Sequence, residues 1–136
     1  MGVYAAGDVA SWHNPHFGTR MRLEHRMNAT EQAIVAAGNL LGDAVPFAPV
    51  PYFWTDQYDI KIQAYGIFPP DADLRIVQGD SPDGHFAAAY GRHGRVVGAL
   101  GWNIARQMRT LRRLVLERTP WTAVTATPAL RPATVN

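Results

Sequence analysis

The feature that most restricts this chain is a pair of apolar runs joined by a turn of only two residues. Phe86-Ala87-Ala88-Ala89-Tyr90 leads through Gly91-Arg92 to His93-Gly94, and the chain resumes with Arg95-Val96-Val97. A two-residue link with glycine in its second position fits a tight hairpin, so the two runs become antiparallel neighbours. Other segments share this strand character. In Tyr58-Asp59-Ile60-Lys61-Ile62-Gln63-Ala64, the apolar Ile60, Ile62 and Ala64 fall on one face and the polar residues on the other. Leu74-Arg75-Ile76-Val77 reads as a further strand.

Two helical patterns bracket this region. Asn28, with Glu31 three residues on, reads as a capping box. Ile34, Ala37, Leu40 and Leu41 then form an apolar stripe, which Gly42 closes as the C′ residue. A second stripe runs Ile104, Met108, Leu111 and Val115, with Arg106, Arg109 and Arg113 off it. Ahead of the first helix, an apolar strand Val3–Ala6 is stopped by Gly7-Asp8. A loop over 11–18 and a short alternating strand, Arg20-Met21-Arg22-Leu23-Glu24, follow. Residues 43–51 carry three prolines and read as a connector. The expected class is α+β: a strand-loop-strand-helix segment over 1–47, then an antiparallel sheet with one packed C-terminal helix over 50–118. The tail 119–136 has too little periodicity to be called structured and is expected to be disordered.

Composition removes several chemistries. Cysteine is absent, which excludes disulfides, thiolate metal sites and a dithiol redox centre. No run approaches the roughly 20 apolar residues that span a bilayer, and no secretory pattern opens the chain, so a soluble cytoplasmic protein is expected. His13, His16 and His25 have no thiolate beside them, and His13 and His16 share a short loop, so no metal centre is expected. Ser11, His13 and Asp8 lack a nucleophile elbow. Of the 13 basic residues all but Lys61 are arginine, five of them between Arg106 and Arg118. That cluster suits an acidic partner or water. No recognised nucleic-acid pattern accompanies it, and nucleic acid is not an expected partner.

Several motifs stand in one order: Val3-Tyr4-Ala5-Ala6-Gly7-Asp8-Val9-Ala10, Asn14-Pro15, Glu24-His25, Asn28-Ala29 with Gln32, and Pro51-Tyr52-Phe53-Trp54-Thr55-Asp56-Gln57-Tyr58. Arg92-His93-Gly94-Arg95, Asn103 and Arg112-Arg113-Leu114 continue the series. Together they resemble the C-terminal part of the FAD-dependent ferredoxin and rubredoxin reductases, over about residues 2–118. The resemblance implies that Gly7 and Asp8 hold the ribityl chain of FAD and that Asn28 and Ala29, at a helix N-terminus, face its pyrimidine end. It implies that Trp54 lies near the flavin where an iron–sulfur partner docks, and that Asn103, Arg106 and Arg109 face that acidic ferredoxin. NAD(P)H would be the reductant of the full-length enzyme, and a homodimer is compatible with the family. Arg26 departs from the aromatic residue that many relatives carry after Glu-His.

No G-x-G-x-x-G occurs anywhere in the chain. By itself the chain is therefore expected to be inactive. Two functional classes stand side by side: the C-terminal part of a flavin-dependent ferredoxin reductase, and a stand-alone non-catalytic docking or dimerisation domain (or gene remnant).

Overall fold

The structure, a computed structural model, describes residues 2–124. The chain divides into two compact units, with the boundary between Phe53 and Trp54.

In the first unit, β1 (Trp12–Asn14) and β2 (Thr19–Met21) form a small antiparallel hairpin, Trp12 opposite Met21 and Asn14 opposite Thr19. The expected loop over 11–18 thus contains a strand, and the expected strand over 20–24 shrinks to its first two residues plus Thr19. Val3–Ala6 is not a strand; Val3 is fully exposed and no strand among the described residues pairs with this run. An extended segment becomes a strand only when a neighbour takes up its backbone hydrogen bonds.

The helix α1 spans Arg26–Leu40, with His25 at the N-cap. It starts ahead of the capping box, because Asn28 lies inside the first turn and its Nδ2 donates to the Leu23 carbonyl at 3.4 Å. The inward face of α1 carries Asn28 and Gln32, while Ile34, Leu40 and Leu41 are exposed. The C-terminus follows the sequence closely. Gly42 takes φ +110°, Gly42 N–H donates to Asn39 and Asp43 N–H to Gly38, which is the Schellman arrangement.

The connector after α1 has no regular structure, and polar side chains fasten it. Asn39 grips the Val45 peptide, donating to its carbonyl at 2.9 Å and accepting its N–H at 2.7 Å. Asn14, fully buried, donates to the Pro49 carbonyl at 2.9 Å and accepts the His16 N–H at 2.9 Å. Trp12 packs on Phe47 with ring centres 5.3 Å apart.

A five-stranded sheet in the order β3-β4-β7-β6-β5 makes up most of the second unit, built from β3 (Tyr52–Gln57), whose first two residues precede the unit boundary, β4 (Ile60–Gly66), β5 (Asp73–Asp80), β6 (His85–Arg92) and β7 (Arg95–Trp102). The His93-Gly94 hairpin forms as expected, both residues at positive φ. Tyr58 and Asp59, expected within a strand, instead form the two-residue turn between β3 and β4.

The helix α2 (Met108–Leu116) buries Met108, Leu111 and Val115 against β7 and β4. Ile104 of the expected stripe stays half-buried before a 3₁₀ turn, Ala105–Gln107. Small residues on the sheet set the depth of this packing. A Cβ at Gly101 would fall 2.3 Å from Met108 Sδ, and one at Gly66 would fall 3.0 Å from Val115 Cγ1. On the opposite face Phe86 stacks on Trp102 and Phe68 meets Tyr90 edge-on, at 5.9 and 4.8 Å between ring centres.

Beyond α2, Pro120 bridges to Arg95 and Trp121 N–H donates to the Gly94 carbonyl at 2.9 Å. Arg75 sits 4.5 Å over the Trp121 ring and donates to the Trp121 and Val124 carbonyls. Long-range contacts of this kind have no local period, so the sequence does not show them. The rest of the expected disordered tail, from residue 125, lies outside the described residues.

Two outcomes follow from this packing. A methyl group at Gly91 would lie 2.4 to 2.8 Å from three ring carbons of Trp121. Gly91→Ala is therefore expected to cost about 1–3 kcal/mol as the indole is forced aside, read as a lower thermal midpoint. Burial holds the Tyr90 phenol above its ordinary value of 10.0. The folded state thus keeps the Tyr90 proton where the unfolded chain has lost it, and stability falls as pH rises from about 10 through the folded value. Tyr90→Phe should remove that part of the alkaline loss in denaturant titrations from pH 8 to 11.

Candidate functional site

The first unit places Gly7-Asp8 against the start of α1. Gly7 has φ +82°, a left-handed conformation that favours glycine, and Ala10 N–H closes the turn on its carbonyl at 2.9 Å. Gly7 N–H donates to Gln32 Oε1 at 2.9 Å in a buried setting, and a Cβ at Gly7 would lie 3.6 Å from that of Ala29. The turn is thereby fixed to α1 one helical turn from the helix start. The Asp8 side chain is exposed, and the Asp8 backbone carbonyl accepts from Arg22 Nη1 at 2.9 Å.

The N-terminus of α1 is open. His25 provides no side-chain cap, and the first turn carries no acidic residue. The N–H groups of Arg26, Met27 and Asn28 have no intrahelical partner by geometry, whereas Ala29 N–H returns to the His25 carbonyl at 3.1 Å. Asn28 Oδ1 and His25 Nδ1 are buried without a hydrogen-bond partner. A buried polar atom left unpaired is costly, and such atoms in a native fold call for a partner. The helix start therefore offers N–H donors, the positive end of a dipole and one waiting acceptor within a single turn. That set suits a polar ring edge carrying both carbonyl and N–H groups.

The second unit carries the remaining expected residues. Trp54 stands on β3, 44% exposed. Asn103 adopts φ +54° at the end of β7 and works inside the fold. Its Oδ1 accepts the Lys61 N–H at 2.7 Å, its Nδ2 donates to the Gly84 carbonyl at 3.1 Å, and its own N–H returns to Lys61 at 2.8 Å. It thus ties β4 and the β5–β6 turn to the segment that leads into Arg106. Arg106, Arg109 and Arg112 are exposed, while Arg113 is drawn to Glu117 at 2.8 Å. An open cleft of about 560 Å³ lies between Gln78, Gly79 and His85 on one side and Asn103 to Gln107 on the other.

Sequence reasoning missed His25 and Gln32 as working parts of the site. Gln32 stood in the motif series without a role, and a polar residue at i+4 from Asn28 was the available signal. Among the described residues no group of three or more His, Asp or Glu side chains is placed to hold a metal, and no helix is long and apolar enough to cross a membrane.

Comparison with known proteins gives a consistent result. The family profile described as Reductase C-terminal matches residues 52–131. The chain is 38% identical over 114 residues to the ferredoxin–NAD(+) reductase component of the anthranilate 1,2-dioxygenase system of Burkholderia cepacia, covering 83% of this chain and 28% of that protein. It is 42% identical over 98 residues to a ferredoxin–NAD(P)(+) reductase of a Sphingomonas species, covering 70% of this chain and 23% of that one. Among solved structures, a covalent putidaredoxin reductase–putidaredoxin complex aligns with a TM-score of 0.75 at 27% identity, over 85% of this chain and 27% of that one. The chain thus spans about a quarter of the length of these relatives.

Gln32→Leu should strand the buried Gly7 N–H and lower the stability of the first unit by about 1–3 kcal/mol. Hydrogen exchange is the direct reading: the Gly7 amide should lose protection, Gln32→Glu should retain most of it, and amides of β6 and β7 should not respond.

Proposed function

This chain belongs to the reductase C-terminal family, and on that premise we propose that it is the C-terminal part of an FAD-dependent NAD(P)H:ferredoxin reductase. The observation that carries the proposal is the open start of α1. Donor N–H groups and an unpaired, buried Asn28 oxygen stand beside a glycine turn that ends in an exposed aspartate. These residues fit a flavin. Asp8 would accept hydrogen bonds from the ribityl hydroxyls, with Gly7 letting the backbone come close. Asn28 Oδ1 would accept from an imide N–H, and the helix N-terminus at Asn28-Ala29 would favour the negative charge of a reduced ring. Held by Gly7, Asp8, Asn28 and Ala29, a flavin would supply the chemistry that links two-electron hydride acceptance to one-electron release.

The protein's own part in this reading is to hold, tune and present. Trp54 is assigned to the flavin-side docking surface by family resemblance. Arg106 and Arg109, exposed and without an ion-pair partner among the described residues, would draw in an acidic iron–sulfur protein and speed encounter. Asn103 would serve that surface from behind, by holding the loop that carries Arg106. Full-length activity, the NAD(P)H reductant and the ferredoxin-type partner are all part of the proposal.

The test is a chimera in which this chain replaces the matching segment of the Burkholderia reductase component. It should retain flavin and reduce ferredoxin with NADH. Arg106→Glu with Arg109→Glu should lower kcat/KM for ferredoxin about tenfold at low salt, with flavin reduction by NADH unchanged. A chimera whose flavin is reduced normally, yet whose ferredoxin kinetics ignore both charge reversals, would remove the docking assignment. Failure to hold flavin would remove the cofactor assignment.

A further inference from the structure

The start of α1 carries a charge of the unfavourable sign. The free N–H groups of a helix start make that end positive, so an acidic side chain is favoured there and a cation is not. The first residue of α1 is Arg26, and its first turn has no acidic residue. Ala29 and Thr30, three and four positions on, offer no carboxylate to pair with it. Glu24, two residues back, is taken by Arg22 at 2.5 Å. Arg26 is exposed and has no ion-pair partner among the described residues.

A residue that breaks a local rule without gain to its own helix is characteristic of a functional position. The same turn shows what the position faces. Asn28 is only 6% exposed, its Oδ1 has no hydrogen-bond partner, and its Nδ2 is spent on the Leu23 carbonyl. A buried acceptor, free N–H donors and an unneutralised guanidinium thus lie within three residues. The ligand that answers all three is a polar ring edge that donates one N–H, accepts others and can take up negative charge. An imide edge such as the flavin pyrimidine has that chemistry.

We infer that Arg26 is a tuning residue, which raises the reduction potential of a flavin seated at the start of α1; this rests on the flavin reading above and adds to it a residue and a direction. When two electrons and one proton enter the ring, one negative charge is left at the pyrimidine edge. The oxidised edge is neutral and gains little from a nearby cation, whereas the reduced edge gains more. Arg26 therefore shifts the equilibrium by its differential interaction with the two states, and contributes little to holding the oxidised cofactor. Because the guanidinium is exposed, dissolved salt screens it.

Two measurements test it without reference to activity. In the flavin-loaded chimera, the midpoint potential is read by redox titration against an indicator dye. Arg26→Gln should lower the reduced-to-oxidised ratio at a fixed potential about tenfold, or about 30 mV for a two-electron couple, and Arg26→Lys should keep most of the original value. The difference should shrink in about 1 M salt. An unchanged potential in flavin-loaded Arg26→Gln would overturn the inference and leave the flavin reading standing; a chimera that holds no flavin would remove both. The second measurement needs no cofactor. In the free chain, Arg26→Gln should raise the hydrogen-exchange protection of the Ala29 and Thr30 amides about threefold, because an unfavourable charge leaves the helix start. Equal or lower protection would show that the charge is already compensated where it stands, and would overturn the inference.

Discussion

The close approach between α2 and the centre of the sheet is the contact on which the second unit depends. On the face that alternation gives to Gly101, strands β6 and β7 carry Ala87, Ala89, Ala99 and Gly101 where other sheets carry larger side chains. Met108 therefore reaches into the space above Gly101, and Val115 comes against Gly66. Removing side chains from the sheet lets a short helix bury itself deeply, and packing at such density leaves no room even for one methyl group. With that face closed, the loop through Asn103 and Arg106 is fixed at the rim, and the opposite face is free to gather its aromatic pairs.

The first unit follows another principle. Its segments are joined by side-chain amides: the buried Gln32 to Gly7 and Asn14 to Pro49 and His16, and the more exposed Asn39 to Val45. Hydrogen bonds of this sort specify one geometry well but contribute only about 1 kcal/mol each to stability. Such a segment is positioned rather than self-sustaining, which matches both its exposed apolar stripe and its open helix end. The same open end lends itself to cofactor binding, since capping it with a side chain would remove the donors.

Legibility in the sequence differed between the units for a physical reason. The His93-Gly94 hairpin, the Gly42 helix stop and the α2 stripe were readable because each is set by residues within a turn or two of one another. Tyr58 was misread because its alternation with Ile60 and Ile62 continues the strand pattern, and only pairing decides where a hairpin turns. The α1 stripe was legible as a period, but where it faces was not, because periodicity locates an apolar face without saying what covers it. Asn28 looked like a cap because capping residues and buried polar residues share the same chemistry. Gly7 and Asp8 were legible as a turn, but their link to Gln32 spans 25 residues and has no local signature.

The sequence by itself determined the α+β class, the antiparallel hairpin, the two helices, the absence of thiol chemistry and the family, since each depends on local period, composition or ordered motifs. Tertiary structure alone decided that Asn103 is spent on Lys61 and Gly84, that Trp121 folds back over Gly91 and Arg75, and that Asn28 keeps an unpaired oxygen inside the protein. These are meetings of residues far apart along the chain. Which of them come together depends on how strands register and helices seat, and no stretch of sequence carries that information alone.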